Sequence, residues 1–265
     1  MREPLDVEVE DGVATLTLNR PASRNALNRE MADALLAALT DVGRDAAVRC
    51  VVVTGAGESF CSGGDVKMFA EVMGADRATR EAHFEGFAGH VHQLITALRG
   101  LPKPSLASAR GAVAGFGVSL TMACDMAIAS DTAFFTLAYA RMGLSPDGGS
   151  TYFLPRLVGE RRAKELALLA DRIDAQTALS FGLINKLIAD DRLDAETATL
   201  AARLAGGPTR AYANAKALFD ATWSSTLEAQ LAAEAAGLGR SAATADFEEA
   251  VAAFIAKRSP SFKGE

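Results

Sequence analysis

The sequence predicts an α/β protein with a helical C-terminal region. Three observations predict it: runs with strand periodicity, amphipathic helical spacing between those runs, and a change after about Asp190 to Ala-rich helical sequence. The expected division is a core over residues 1–190 and a helical appendage over 191–265. A chain of 265 residues, 49% of them hydrophobic and 23% charged, can bury a large core.

Alternation in Val13-Ala14-Thr15-Leu16-Thr17-Leu18, preceded by Asp11-Gly12, reads as a hairpin feeding a strand that ends at Asn19-Arg20-Pro21. From Asn28, a candidate cap, the residues Met31, Leu35, Leu36, Leu39 and Val42 recur at helical spacing. The run Cys50-Val51-Val52-Val53-Thr54, closed by Gly55-Ala56-Gly57, fits a strand buried on both faces. A helix carrying His83, Phe84, Phe87, Val91, Leu94, Ile95 and Leu98 leads to Pro102-Lys103-Pro104. Next come a strand at 105–109, a Gly-rich turn and helix over 111–124, and a strand at 126–130. In the helical region, Gly206-Gly207-Pro208 and Gly237-Leu238-Gly239 are the expected breaks. Tyr212, Phe219, Trp223 and Phe247 are expected in core or subunit contacts.

Composition excludes several classes. Lys plus Arg total 27 against 33 Asp plus Glu, a formal charge of −6, so no global basic field draws in nucleic acid or an anionic membrane. Cys50, Cys61 and Cys124 are odd in number and lack close Cys or His neighbours, which argues against a disulfide scaffold and a metal site and suits a reduced cytoplasm. The first residues show no apolar signal segment. The most apolar stretch, 111–129, holds Ser119, Thr121 and Asp125. A carboxylate at mid-bilayer costs about 2.5–3.5 kcal/mol, so this stretch reads as protein core.

Two Gly-rich turns follow strands: Phe60-Cys61-Ser62-Gly63-Gly64-Asp65, and Gly111 through Gly117. Each can leave backbone N–H groups facing a cleft, and two such donors on one oxygen make an oxyanion hole. Tight turning and close helix packing explain either loop taken alone. Gly115-Phe116-Gly117 imitates a dinucleotide fingerprint, but Leu120 stands where its third glycine belongs. Gly117-Val118-Ser119 begins a nucleophile elbow that Thr121 fails to close. In Gly143-Leu144-Ser145-Pro146-Asp147-Gly148-Gly149, a turn isolates one acidic residue ahead of an aromatic-apolar helix. Asp147 is expected at that helix N-terminus, as a simple cap or as a reactive carboxylate.

These motifs, in this order, resemble the enoyl-CoA hydratase/isomerase (crotonase) superfamily. The similarity extends over nearly the whole chain, through Arg24-Asn25-Ala26-Leu27-Asn28, the two Gly-rich turns, Lys103-Pro104, the 143–149 turn, the segment from Asp174 to Ile184, and Phe254 to Phe262. The resemblance implies a spiral of repeated ββα units, a helical C-terminal trimerisation region, and a homotrimer or a hexamer of two trimers. It implies an acyl-CoA thioester as substrate, with coenzyme A carried by the substrate and no separate cofactor. By the same resemblance, Gly64 and Phe116 donate backbone N–H groups to the thioester carbonyl. Arg24, Ala26 and Leu27, with Ser62, Gly63, Asp65, Val66 and Lys67, are expected to hold the CoA moiety, Gly115 to shape the hole, and Phe262 and Lys263 to approach a neighbouring subunit's site.

Departures from the family pattern bear on the reaction. Family hydratases carry two water-activating glutamates at the positions occupied here by Ser119 and Tyr139, which are expected to contact substrate instead. Neither is a useful base at neutral pH. Asp147 is the remaining acid, eight positions beyond Tyr139, where single-Asp isomerases of the phenylacetyl-CoA epoxide type carry theirs. The reading that follows is an enoyl-CoA isomerase with Asp147 as proton shuttle. An enoyl-CoA hydratase, a thioester hydrolase that would release free CoA, and a non-catalytic acyl-CoA-binding homologue are the alternatives.

Overall fold

The computed structural model describes residues 3–265. Strands β1 (Leu5–Glu10) and β2 (Val13–Leu18) form an antiparallel hairpin. Asp11 and Gly12, both at positive φ, turn it with the twist that paired strands require. Ala14, Leu16 and Leu18 point inward at 0% exposure, as the alternation demands. Helix α1 (Arg29–Arg44) is capped by Asn28, whose side chain accepts the Met31 N–H at 3.0 Å. Met31, Leu35, Leu39 and Val42 make its buried face.

Strand β3 (Cys50–Gly55) lies parallel to β2, followed by α2 (Val66–Ala70) and α3 (Arg77–Arg99). Two turns of a spiral come next. Each adds a strand to the large sheet, a strand to a small sheet, and a helix: β4 (Ser105–Ala109), β5 (Ala112–Ala114) and α4 (Phe116–Ala123), then β6 (Met126–Ser130), β7 (Phe134–Thr136) and α5 (Ser150–Val158). Helix α6 (Glu160–Leu169), β8 (Ile173–Asp174), α7 (Ala175–Phe181) and β9 (Lys186–Ile188) complete the strand-bearing part. The large sheet runs β1-β2-β3-β4-β6-β9, parallel except for the first pair, and the small sheet runs β5-β7-β8. The expected turn-plus-helix over 111–124 therefore contains a strand. Three residues are too few to show a period, and β5 exists because β7 pairs with it.

Helices α8 (Leu193–Ala205), α9 (Thr209–Ala221), α10 (Leu227–Ala242) and α11 (Ala245–Ile255) follow. The division at 190/191 cuts between the sheet and a helix that covers it. Leu193, Leu200, Ala201 and Ala205 of α8 pack on Cys50, Val52, Leu106 and Ile128, while Val51 and Val53 face the main core. Strand β3 is thus buried on both faces.

Gly237 and Gly239 do not break the chain; they lie inside α10. A Cβ on Gly237 would meet Leu218 Cδ1 at 3.2 Å, so the glycine lets α10 pack closely against α9. Besides the expected break at 206–208, the chain turns at 222–225, which carries Trp223, and at 243–244. Lys216 pairs with Asp125 at 2.6 Å and ties α9 to the core. The tail folds back on its own chain, with Asp246 accepting the Lys263 and Gly264 N–H groups and Arg49 bonding the Phe262 carbonyl. Phe219 (74% exposed), Trp223 (63%) and Phe254 (85%) are not core residues of this chain.

Candidate active site

Past β3 the chain pairs in parallel at Cys61 with Val113 of β5. The Cys61 N–H donates to the Ala112 carbonyl at 3.0 Å and the Ala114 N–H to the Cys61 carbonyl at 2.9 Å. An equal advance from this pair reaches Gly64 on one side and Phe116 on the other. The two loops touch, since a Cβ on Gly115 would lie 3.5 Å from Gly63 Cα. Gly115, at φ +49° and ψ −117°, takes a conformation that only glycine adopts cheaply and swings the chain from β5 into α4. Phe116 is the first residue of α4, so its N–H has no intrahelical acceptor.

The Gly64 N–H also donates to no acceptor among the described residues. Its neighbours take the bonds instead, Leu27 N–H to Gly63 O at 2.7 Å and Asp65 N–H to Leu27 O at 2.8 Å. Both free N–H groups belong to residues lining one cavity of about 480 Å³. Phe69, Phe84, Phe87 and Val91 form its apolar side, with the Phe69 and Phe84 rings 5.0 Å apart. Asp147 and the exposed Glu85 are the carboxylates on its wall among the described residues.

Asp147 is no helix cap. Gly149 holds that position for α5 and makes no side-chain cap bond. The Asp147 carbonyl instead accepts the Ser150 N–H (3.0 Å) and the Ser150 hydroxyl (2.7 Å), with the Ser119 hydroxyl 3.1 Å away. Ser119 Oγ and Ser150 Oγ lie 2.6 Å apart, so with the Ser150 proton on the carbonyl the Ser119 hydroxyl donates to Ser150 Oγ. On the side chain, the Tyr139 O–H donates to Asp147 Oδ1 at 2.6 Å. Burial, and then the Asp147 charge, push the Tyr139 phenol well above its ordinary range, so it keeps its proton. A Cβ on Gly115 would lie 3.9 Å from Tyr139 Cζ, which sets the phenol and its carboxylate partner beside the Phe116 turn.

The structure sorts the expected site residues. Leu27, Ser62, Gly63, Gly64, Val66, Gly115, Phe116, Tyr139 and Asp147 line the cavity. Ser119 does not: it is 0% exposed and holds the Asp147 turn from behind. Asp65 is also structural, since its carboxylate pairs with Arg20 at 2.8 Å and caps α2 through the Lys67 N–H. Ala26 is buried beneath this loop, its carbonyl bonded by Arg20. Arg24 and Lys67 stand exposed outside the cavity wall, with Arg24 O accepting the Ser62 N–H at 3.0 Å. Ser150 and Arg20 were missed. Ser150 follows the Gly148-Gly149 pair, but its role needs Ser119 from another helix, which no local spacing encodes. Phe84, Phe87 and Val91 share one helix face, legible as buried but not as the wall of a site.

Comparison with known proteins gives the family. The enoyl-CoA hydratase/isomerase family model matches residues 8–265. A Rhodobacter capsulatus protein named probable enoyl-CoA hydratase is 41% identical over 97% of this chain and 96% of its own. The 1,2-epoxyphenylacetyl-CoA isomerase of Escherichia coli is 37% identical over the full length of both. Among solved structures, an enoyl-CoA hydratase from Polaromonas sp. JS666 superposes with a TM-score of 0.90 at 34% identity, over 97% of this chain and 99% of that one. With the family pattern spanning nearly the whole chain and the spiral fold matching along its length, the protein belongs to the enoyl-CoA hydratase/isomerase family.

Proposed function

We propose that this protein is an isomerase that moves a double bond in an enoyl-CoA from the 3- to the 2-position. The Gly64 and Phe116 N–H groups bind the thioester oxygen, which acidifies C2. Asp147 removes the C2 proton and returns it at C4 of the dienolate, so one base suffices and no water is added. The observation that carries this reading is the Asp147 carboxylate, bonded to Tyr139 beside the Phe116 turn, with Ser and Tyr at the two positions where the family's hydratases carry glutamates.

The CoA moiety enters along Leu27 and the loop Ser62–Val66, its phosphates meeting the exposed Arg24 and Lys67 cations, and no separate cofactor is required. The exposed apolar side chains Phe219, Trp223, Leu238, Phe254 and Ile255 support a homotrimer or hexamer through the C-terminal helices. Light scattering on the purified protein tests that assembly. The activity is tested by offering 3-hexenoyl-CoA and crotonyl-CoA side by side. Conjugated thioester absorbance should grow with the first and stay constant with the second. Rapid loss of the crotonyl-CoA chromophore makes the protein a hydratase, the activity in the name of the Rhodobacter relative. Binding without turnover of either makes it a non-catalytic acyl-CoA binder.

A further inference from the structure

We infer that Tyr139 is a positioning residue that reserves a single carboxylate oxygen of Asp147, Oδ2, for both taking and returning the migrating proton. The inference rests on the isomerase reading and adds a positioning role for a residue that stands where the family's hydratases carry a glutamate.

The geometry is one-sided. Tyr139 O–H is 2.6 Å from Asp147 Oδ1 but 3.4 Å from Ser119 Oγ, so its proton goes to the carboxylate. A phenol that stays protonated is a permanent donor and accepts nothing from Asp147 Oδ1. Oδ2 makes no hydrogen bond to the described residues. Bonds from the Ser150 N–H and hydroxyl fix the Asp147 carbonyl and so where the main chain presents the side chain, while the rotation of the carboxylate itself is set by the Tyr139 bond to Oδ1. An oxygen that already accepts a short hydrogen bond is the weaker base of the pair, which leaves Oδ2 to do the chemistry.

The proton balance follows. The C2–H bond breaks, its electrons pass into the dienolate held by Gly64 and Phe116, and the proton resides on Oδ2. The Oδ2–H bond then breaks, a C4–H bond forms, the C3=C4 double bond becomes C2=C3, and Asp147 is again a carboxylate. Tyr139 keeps its own proton throughout. With Oδ1 tethered, Oδ2–H cannot swing out to exchange with water between the two steps, so the hydrogen that leaves C2 arrives at C4.

The test uses 3-hexenoyl-CoA carrying two deuterium atoms at C2, turned over in ordinary water, with deuterium at C4 of the product read by mass spectrometry. Wild-type protein should deliver most of the label. Tyr139→Phe keeps the ring on the cavity wall and loses only the tether. It should retain the wild-type KM within about twofold, lower kcat roughly tenfold, and deliver less than half of the label. Retention is counted per product molecule, so a loss of folded enzyme cannot mimic it. Wild-type-like retention in Tyr139→Phe, or a wild-type enzyme that isomerises while washing out the label, overturns the inference and leaves the isomerase reading intact. A wild-type protein that forms no 2-enoyl product removes both.

Discussion

Asp147→Asn removes the proposed base while keeping its shape. The Asn side-chain oxygen can still accept from Tyr139, and the bonds to the residue 147 carbonyl involve only main chain and serines. The fold should therefore lose no more than about 1–2 kcal/mol, the difference between a charge-assisted and a neutral hydrogen bond. The oxyanion donors and the CoA contacts lie on other loops, so KM should stay within about threefold. Chemistry suffers much more. General acid–base assistance contributes typically ~10²–10⁴-fold, and here one group performs both transfers. A kcat loss of about 10³–10⁴-fold is expected, or roughly 4–5.5 kcal/mol in the barrier. The assay is the rise of conjugated thioester absorbance from 3-hexenoyl-CoA, with thermal unfolding and calorimetric binding of a saturated acyl-CoA run in parallel. A variant that turns over within tenfold of wild type, at an unchanged melting temperature, would refute the shuttle.

Three further outcomes separate chemical from structural roles. Gly115→Ala places a side chain at a φ of +49° and ψ of −117°, which only glycine adopts cheaply, so relief of that strain displaces the Phe116 N–H. Loss of one oxyanion donor costs about 2.7–4 kcal/mol, so kcat should fall ~10²–10³-fold, and unchanged kcat would exclude Phe116 from the hole. Ser119→Ala deletes a fully buried hydroxyl behind Asp147 and should cost about 1–2 kcal/mol, lowering Tm by roughly 2–4 °C per kcal/mol with KM unaltered; a KM rise without a Tm loss would restore Ser119 as a ligand contact. Burial pushes the Cys50 and Cys61 thiols up to about 12, and that of Cys124 in the same direction. At pH 8 the native protein should therefore resist a thiol-disulfide reagent, and all three should react once it is unfolded; rapid native labelling would contradict the burial.

Much of this protein is written in short windows. The Asp11-Gly12 turn, the Asn28 cap and the doubly buried run of β3 are each specified within a few residues, because twist, capping and alternation are local properties. So is the absence of carboxylates at 119 and 139. Gly237 shows where such windows mislead, since a glycine that reads as a break serves close helix packing instead.

The site itself was decided at longer range. Whether Gly64 and Phe116 face one cavity depends on the Cys61–Val113 pairing, between segments fifty residues apart, and β5 forms only because β7 lies beside it. Likewise, Asp147 could be read from its neighbours as a cap. Helix α4 and the turn before α5 make it otherwise, by bringing Ser119 and Tyr139 to opposite ends of one aspartate. A sequence window carries φ preferences and periodicity, whereas the direction of a side chain's hydrogen bond depends on which distant atoms packing sets within 3 Å of it.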